Sequence, residues 1–325
     1  MNLTDTAATP CRTEMLRIAT WNLDSNPQLA EERMLAAAAE LLDVEVLLVQ
    51  ENQVLPDGRT AVSVLAEHAG FGFVFECDEH TGVLPGTAIL SRYPFAFTET
   101  IDYEETVRFL DASRLQETPH VSGSSGSATA TTTPGKPGPV VPPRPVVIPA
   151  MLAGIDHPSG RRLVVVSAHL AWGSFAEPVR LHQAETLARR LDDLTGFGSG
   201  RTDPIGVIGM DANTLPASAT IRFLTGLDPL GPYATLFVDT FAVAGSGPGT
   251  TSTPHNPYSA RTAAVVGILR ADLLPDRRID FLLARGYVYG RPGFPLASGL
   301  LGDAAVLTPS DHYGVWSDLW MPPVP

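Results

Sequence analysis

The sequence predicts a sandwich of the α/β or α+β class. Strand-like apolar runs outnumber helical stretches, the helical stretches lie between them, and closely spaced runs joined by turn residues read as hairpins. The chain has 325 residues, 44% of them hydrophobic, which is enough to bury a large core.

The elements follow in order. Residues 16–22 read as a strand. Residues 27–42 are rich in Ala and Glu at helical spacing, and Pro27 suits a helix start. Residues 44–50 are Val- and Leu-rich, as in a buried strand. Residues 60–69 look helical; 71–76, 86–90 and 95–103 look like strands. Residues 146–156 and 162–169 form a hairpin with its turn in His157-Pro158-Ser159-Gly160. Residues 177–194 are an amphipathic helix, 205–210 a strand and 217–224 a short helix. Strands at 279–284, 304–307 and 314–320 complete the set.

Composition narrows the function. The formal charge is −13. Long nucleic acid is bound mainly through neutralised phosphates, so this balance excludes a broad basic footprint. Local arginines and a metal can compensate, because an acidic pocket attracts divalent cations. Lys136 is the only lysine. Arg suits bidentate phosphate contacts, although genome composition accounts for the same bias. No run of about 18 apolar residues occurs, so no membrane span is expected. Residues 1–14 lack a basic start followed by an apolar stretch and read as a flexible tail, not a secretory signal. A cytoplasmic monomer is expected, with secretion open if a signal was trimmed. Cys11 and Cys77 lack a metal-ligand spacing and imply no disulfide. Residues 122–145 are rich in Ser, Gly, Thr and Pro and cannot supply a core. They form the bulk of a low-complexity insertion, 118–145, within one domain spanning 15–321.

Six polar motifs stand at or beside the ends of apolar runs: Thr20-Trp21-Asn22-Leu23-Asp24, Gln50-Glu51, Ser167-Ala168-His169-Leu170, Gly209-Met210-Asp211-Ala212-Asn213, Arg278-Ile279-Asp280-Phe281 and Ser310-Asp311-His312. Together they can deliver carboxylates, amides and two imidazoles to one pocket, the equipment for metal-assisted attack of water on a phosphate ester. The amide of Asn22 can orient a phosphate oxygen, a water on the metal or a neighbouring carboxylate. Glu51 ends a buried strand, where a carboxylate can hold Mg²⁺. Asp211 and Asn213 project to the same side if strand geometry continues, pairing a group that positions water with an amide donor. Two imidazoles and several acids allow proton transfer at both the attacking and the leaving oxygen. Whether Asp211 or Asp280 polarises His312 is left open.

The ordered set resembles the endonuclease/exonuclease/phosphatase superfamily, which includes deoxyribonuclease-I-like nucleases, apurinic-site endonucleases, sphingomyelinases and inositol polyphosphate 5-phosphatases. The resemblance runs from Arg17 to Leu319. It implies a four-layer sandwich of two packed mixed β-sheets flanked by helices, and a hydrolase that uses Mg²⁺ or Mn²⁺. It further implies Glu51 as the principal metal ligand, with Asn22 and Asp311 beside it, and His169, Asp211, Asn213, Asp280 and His312 as the catalytic set. His169 would bind the scissile phosphate or protonate the leaving oxygen. Asp24 matches a further acidic position of the apurinic branch, and Arg180 and Gln183 a pair that buttresses the site. The expected substrate is a phosphate ester, DNA or RNA foremost; a small-molecule or lipid phosphodiester of the sphingomyelinase kind is the alternative. The inositol-phosphatase signature is absent where Thr251-Ser252-Thr253-Pro254-His255-Asn256-Pro257-Tyr258 stands. A non-catalytic binder on the same fold would show a degenerate site, and here the main positions are filled.

Overall fold

Strand β1 (Met15–Asn22) shows how the chain divides its core. Its alternate residues Leu16 and Ile18 join one apolar cluster, while Ala19 and Trp21 join another. β2 (Val46–Asn52) repeats the division, with Val46 and Leu48 on one face and Leu47 and Val49 on the other. Strands buried on both faces read as continuous apolar runs, which is why these segments lack a polar alternation. The computed structural model describes residues 14–77, 86–103, 106, 146–173, 175–196, 204–265, 270–286 and 291–324.

The first sheet adds β3 (Phe73–Glu76), β4 (Gly86–Ser91), β11 (Pro295–Leu301) and β12 (Gly314–Trp320), in the order β11-β12-β1-β2-β4-β3. The second contains β5 (Phe95–Ile101), β6 (Ala150–Asp156), β7 (Arg162–His169), β8 (Ile205–Asp211), β9 (Val238–Asp239) and β10 (Asp280–Ala284), in the order β5-β6-β7-β8-β10-β9. Both sheets are mixed: β1 runs parallel to β2 and β7 parallel to β8, and the remaining pairs are antiparallel. The inner faces meet in one cluster, where Leu16, Ile18, Val46 and Leu48 pack with Met151, Leu163, Val165 and Val207. Gly209 allows this approach near the site, because a Cβ there would lie 2.5 Å from the Leu48 side chain.

Helices cover the outer faces. α1 (Ala30–Glu40) and α2 (Ala61–Ala69) pack on the first sheet. α3 (Glu177–Thr195) and α4 (Ala219–Leu224) pack on the second. α2 is held by Thr60, whose hydroxyl accepts from the Ser63 amide, and by a left-handed Gly70. The expected four-layer sandwich is what the chain forms.

Several expectations change. The first helix begins at Ala30, because Leu29 is left-handed (φ 50°) and Asp24 and Asn26 accept amides two residues on in successive turns. No strand forms at 304–307, where Val306 is fully exposed. The edge strand is instead Pro295–Leu301, whose Gly299 leaves room for the Trp316 indole. Three short elements had no sequence signal strong enough to predict them: β9, α5 (Thr240–Ala244) and α6 (Ser259–Val265). Cys11 and the insertion at 118–145 lie outside the described residues.

Candidate active site

The topology gathers the motifs at one edge of the sandwich. Asn22, His169 and Asp211 end β1, β7 and β8, while Glu51 is the next-to-last residue of β2, at the irregularity in its pairing with β4. Asp280 opens the antiparallel β10, and His312 precedes β12 by two residues. Register sharpens the convergence: Asp211 is the partner of both His169 and Asp280.

Polar residues lock the two sheets together beneath this edge. The buried Gln50 amide donates to Thr20 Oγ1 and to Ser167 Oγ, each at 3.1 Å, and Ser167 Oγ donates to Val49 O at 2.7 Å. Ser310 Oγ donates to Asn22 O at 2.6 Å and accepts the His312 amide at 3.1 Å. Trp21 Nε1 donates to His312 O at 3.0 Å. These motif letters therefore place their neighbours.

Asn22 links the two halves of the site. Its Nδ2 donates to Glu51 Oε1 at 3.1 Å and to Asp211 Oδ2 at 3.0 Å. Its oxygen accepts the Asp24 amide at 3.0 Å. Glu51 is left-handed (φ 57°) at an irregularity in the β2–β4 pairing, which turns its half-buried carboxylate out of the ladder. Its Oε2 accepts the Ser25 amide at 2.9 Å. Burial pushes the Glu51 carboxyl up, but the charge of His169, the Ser25 amide, the Asn22 amide and the charge of His312 outweigh it and hold it below its usual range.

Asp211 is the hub. Its Oδ1 accepts the Asn213 amide at 2.9 Å, and its Oδ2 lies 3.4 Å from His169 Nε2 and 4.0 Å from His312 Nδ1. Asn213, left-handed at φ 50°, donates one Nδ2 hydrogen to Leu170 O at 3.1 Å. Among the described residues the second hydrogen of that amide meets no acceptor, and it can serve a ligand. His169 is almost fully buried, and its Nδ1 has no partner among the described residues.

His312 pairs with Asp280: Nδ1 lies 2.9 Å from Asp280 Oδ2. Both are buried, and the Asp280 amide is held by Thr251 Oγ1 at 3.2 Å. Burial works against a charged imidazole, but Asp280, Asp311 and Asp211 raise the His312 pKa well above 6.5. Burial and the charge of Asp211 push Asp280 up, partly offset by His312. Asp311 is half-buried beside this imidazole. One atom each from Asp211, Asp280 and His312 lie within 4.8 Å of one another. A cation ligated by all three would displace the His312–Asp280 hydrogen bond. Glu51 stands outside that pair.

Asp24 is buried between two arginines. It is 2% exposed, its Oδ2 lies 2.7 Å from Arg33 Nη1, and its Oδ1 meets Arg261 Nη1. Arg33 is fully buried and also donates to the carbonyls of Asp24 and Asn26 at 2.8 and 3.0 Å. Gln53 Nε2 donates to the same carbonyls at 3.2 and 3.3 Å. This cage sets the turn that brings Ser25 to Glu51. Arg33 escaped the sequence analysis, although a signal existed: it occupies the apolar stripe of α1 with Ala30, Met34 and Ala37. Arg180 and Gln183 hold the 171–173 backbone after His169.

Residues 19–312 match the family model described as the endonuclease/exonuclease/phosphatase family. The chain belongs to this family, whose members are phosphoester hydrolases. Among solved structures, the endonuclease/exonuclease/phosphatase from Bacteroides vulgatus superposes with a TM-score of 0.62 at 17% identity, covering 94% of this chain and 99% of that one. D. rerio TDP2 complexed with single strand DNA product gives 0.59 at 17% identity, over 94% and 98%. Truncated TDP2 from Caenorhabditis elegans gives 0.58 at 13%, over 94% and 98%. None of the curated proteins matches the chain.

Proposed function

We propose that this chain is a divalent-cation-dependent phosphodiesterase that hydrolyses nucleic-acid P–O bonds by direct attack of water. The observation that carries the reading is the Asp211 hub, which joins Asn22, His169 and the His312–Asp280 pair within hydrogen-bonding or ion-pair reach. Asp211 orients the attacking water and takes its proton. The remaining Nδ2 hydrogen of Asn213 donates to a phosphoryl oxygen. His312, kept protonated by Asp280, offers Nε2 to the phosphate or to the departing oxygen. His169 supports the same phosphate from the β7 side. No covalent intermediate is required.

The donor set fits Mg²⁺ or Mn²⁺. Glu51, its carboxyl held below the usual range, would be the anionic ligand, and Asp311, whose charge reaches His312, would be the second hard donor. Asn22 orients Glu51 and Asp211 through its NH₂, and its oxygen, which accepts the Asp24 amide, keeps a second lone pair for the ligand role the resemblance implies. When bound, the cation neutralises charge on the phosphate.

Nucleic acid is favoured as substrate because one neighbour of the same fold, D. rerio TDP2, is complexed with single strand DNA product. The net charge of −13 favours a second reading, a small or lipid phosphodiester. Hydrolysis with Mg²⁺ or with EDTA, across plasmid DNA, single strands, RNA, sphingomyelin and a simple phosphodiester, decides between them. Turnover of single strands only with the metal supports the first reading. Turnover of sphingomyelin alone supports the second, and turnover of none contradicts both.

A further inference from the structure

Large apolar side chains stand in water just beyond the two strands that deliver His169 and Asp211. Trp172 is 45% exposed, Phe175 79% and Leu215 49%. Trp172 lies three residues past His169, and Leu215 four past Asp211. Since β7 and β8 are adjacent and parallel, with His169 opposite Asp211, both loops leave the same edge of the sheet.

These loops are braced together. Arg180 Nη1 donates to Ala171 O at 2.9 Å and to Gly173 O at 3.0 Å, fixing the backbone on both sides of Trp172. Gln183 Oε1 accepts the Ala171 amide at 2.9 Å. Arg180 Nε also donates to Glu177 Oε2 at 2.9 Å, and the same oxygen accepts from Thr214 Oγ1 at 2.9 Å. Thr214 lies between Asn213 and Leu215. The buried Arg180 and Gln183 thus hold an aromatic residue out in solvent on a fixed backbone. Such pre-organisation lowers the entropy cost of binding.

We propose that Trp172, Phe175 and Leu215 form a stacking rim for unpaired bases flanking the phosphate held by His169 and Asn213, so that the site selects single-stranded nucleic acid. The proposal rests on the phosphodiesterase reading above. Unpaired bases expose π-faces that stack on aromatic side chains without regard to sequence, whereas bases in a duplex are already stacked. At a net charge of −13 tracking phosphates supplies little of the affinity, so stacking supplies more of it, and binding should depend only weakly on salt.

Two measurements test the rim. The first is steady-state hydrolysis of a short single strand and of the same strand with abasic nucleotides. Trp172→Ala should raise KM for the base-bearing strand about tenfold, the loss of one stacked base, with kcat nearly unchanged, and Trp172→Phe should restore most of it. Equal penalties on the two strands overturn the proposal. The second is tryptophan fluorescence in EDTA, without turnover. An oligothymidylate should quench a component of the emission that Trp172→Phe removes. Hydrolysis of strands with no such quenching refutes the rim and leaves the phosphodiesterase reading standing. Quenching without hydrolysis of any phosphodiester refutes that reading and keeps the rim. A blue shift of Trp172 on sphingomyelin vesicles, with no response to strands, assigns the surface to lipid and overturns the proposal.

Discussion

His312 is paired with Asp280: its Nδ1 lies 2.9 Å from Asp280 Oδ2, against 4.0 Å from Asp211 Oδ2. Asp280 therefore holds the imidazole, while Asp211 carries the bonds from Asn22 and Asn213. The His312 pKa is raised, so its charged form persists above 6.5. On the proposed role of His312, activity that needs this proton should be complete at low pH and fade as pH rises through the raised value. Asp280→Asn removes the main opposing charge. The alkaline limb of kcat/KM should then move to lower pH. An unmoved limb means that another group carries the titration.

The same proton bears on stability. A group whose pKa is raised by folding contributes fully below its unfolded value, about 6.5 for His, and loses that contribution as pH rises through the folded value. The stability difference between wild type and Asp280→Asn should therefore be larger at pH 6 than at pH 9. Urea unfolding at the two pH values measures it, and a difference growing with pH contradicts the assignment.

Metal affinity should follow the Glu51 carboxylate and its partners. Asn22→Ala removes the amide that orients Glu51 and should weaken Mn²⁺ binding by about 10–100-fold, as loss of outer-shell partners typically does. Glu51→Gln should weaken it further, because an anionic ligand becomes neutral. Titration calorimetry with Mn²⁺ checks both. Unchanged affinity in Glu51→Gln moves the cation elsewhere, with the Asp211, Asp280 and His312 group the alternative.

Arg33→Met should destabilise the protein by about 2–4 kcal/mol, since it leaves buried Asp24 with the half-exposed Arg261 as its remaining ion-pair partner and removes the donor to the Asp24 and Asn26 carbonyls. Denaturant unfolding reads this directly. A loss below about 1 kcal/mol would be that of an ordinary surface ion pair and would contradict the cage.

Much of this site was legible because its polar residues interrupt apolar runs that are buried on both faces. Glu51, His169 and Asp211 each stand where such a run ends, and Asp280 where one begins. The pairing of His312 was not legible. Asp211 and Asp280 are direct cross-strand partners, so no spacing along the chain ranks them. The fate of Asp24 was hidden for a related reason: its arginines come from α1 and α6, and α6 carried no clear signal. Apolar content misled at 304–307, where Val306 faces water, while the true edge strand contains a Gly that fits under Trp316. Trp172 and Phe175 drew no notice, because a sequence does not say which aromatics stay outside.

The most direct test compares turnover on a single-stranded oligonucleotide in Mg²⁺ for wild type, Asp211→Ala, His312→Ala and the double variant. Each single variant should lose about 10²–10⁴-fold in kcat while still unfolding as a cooperatively folded protein. The double variant should lose little more than either single variant, because both residues act on one transition state. Near-native turnover in the double variant would contradict the account and leave the family relationship as evidence of fold alone.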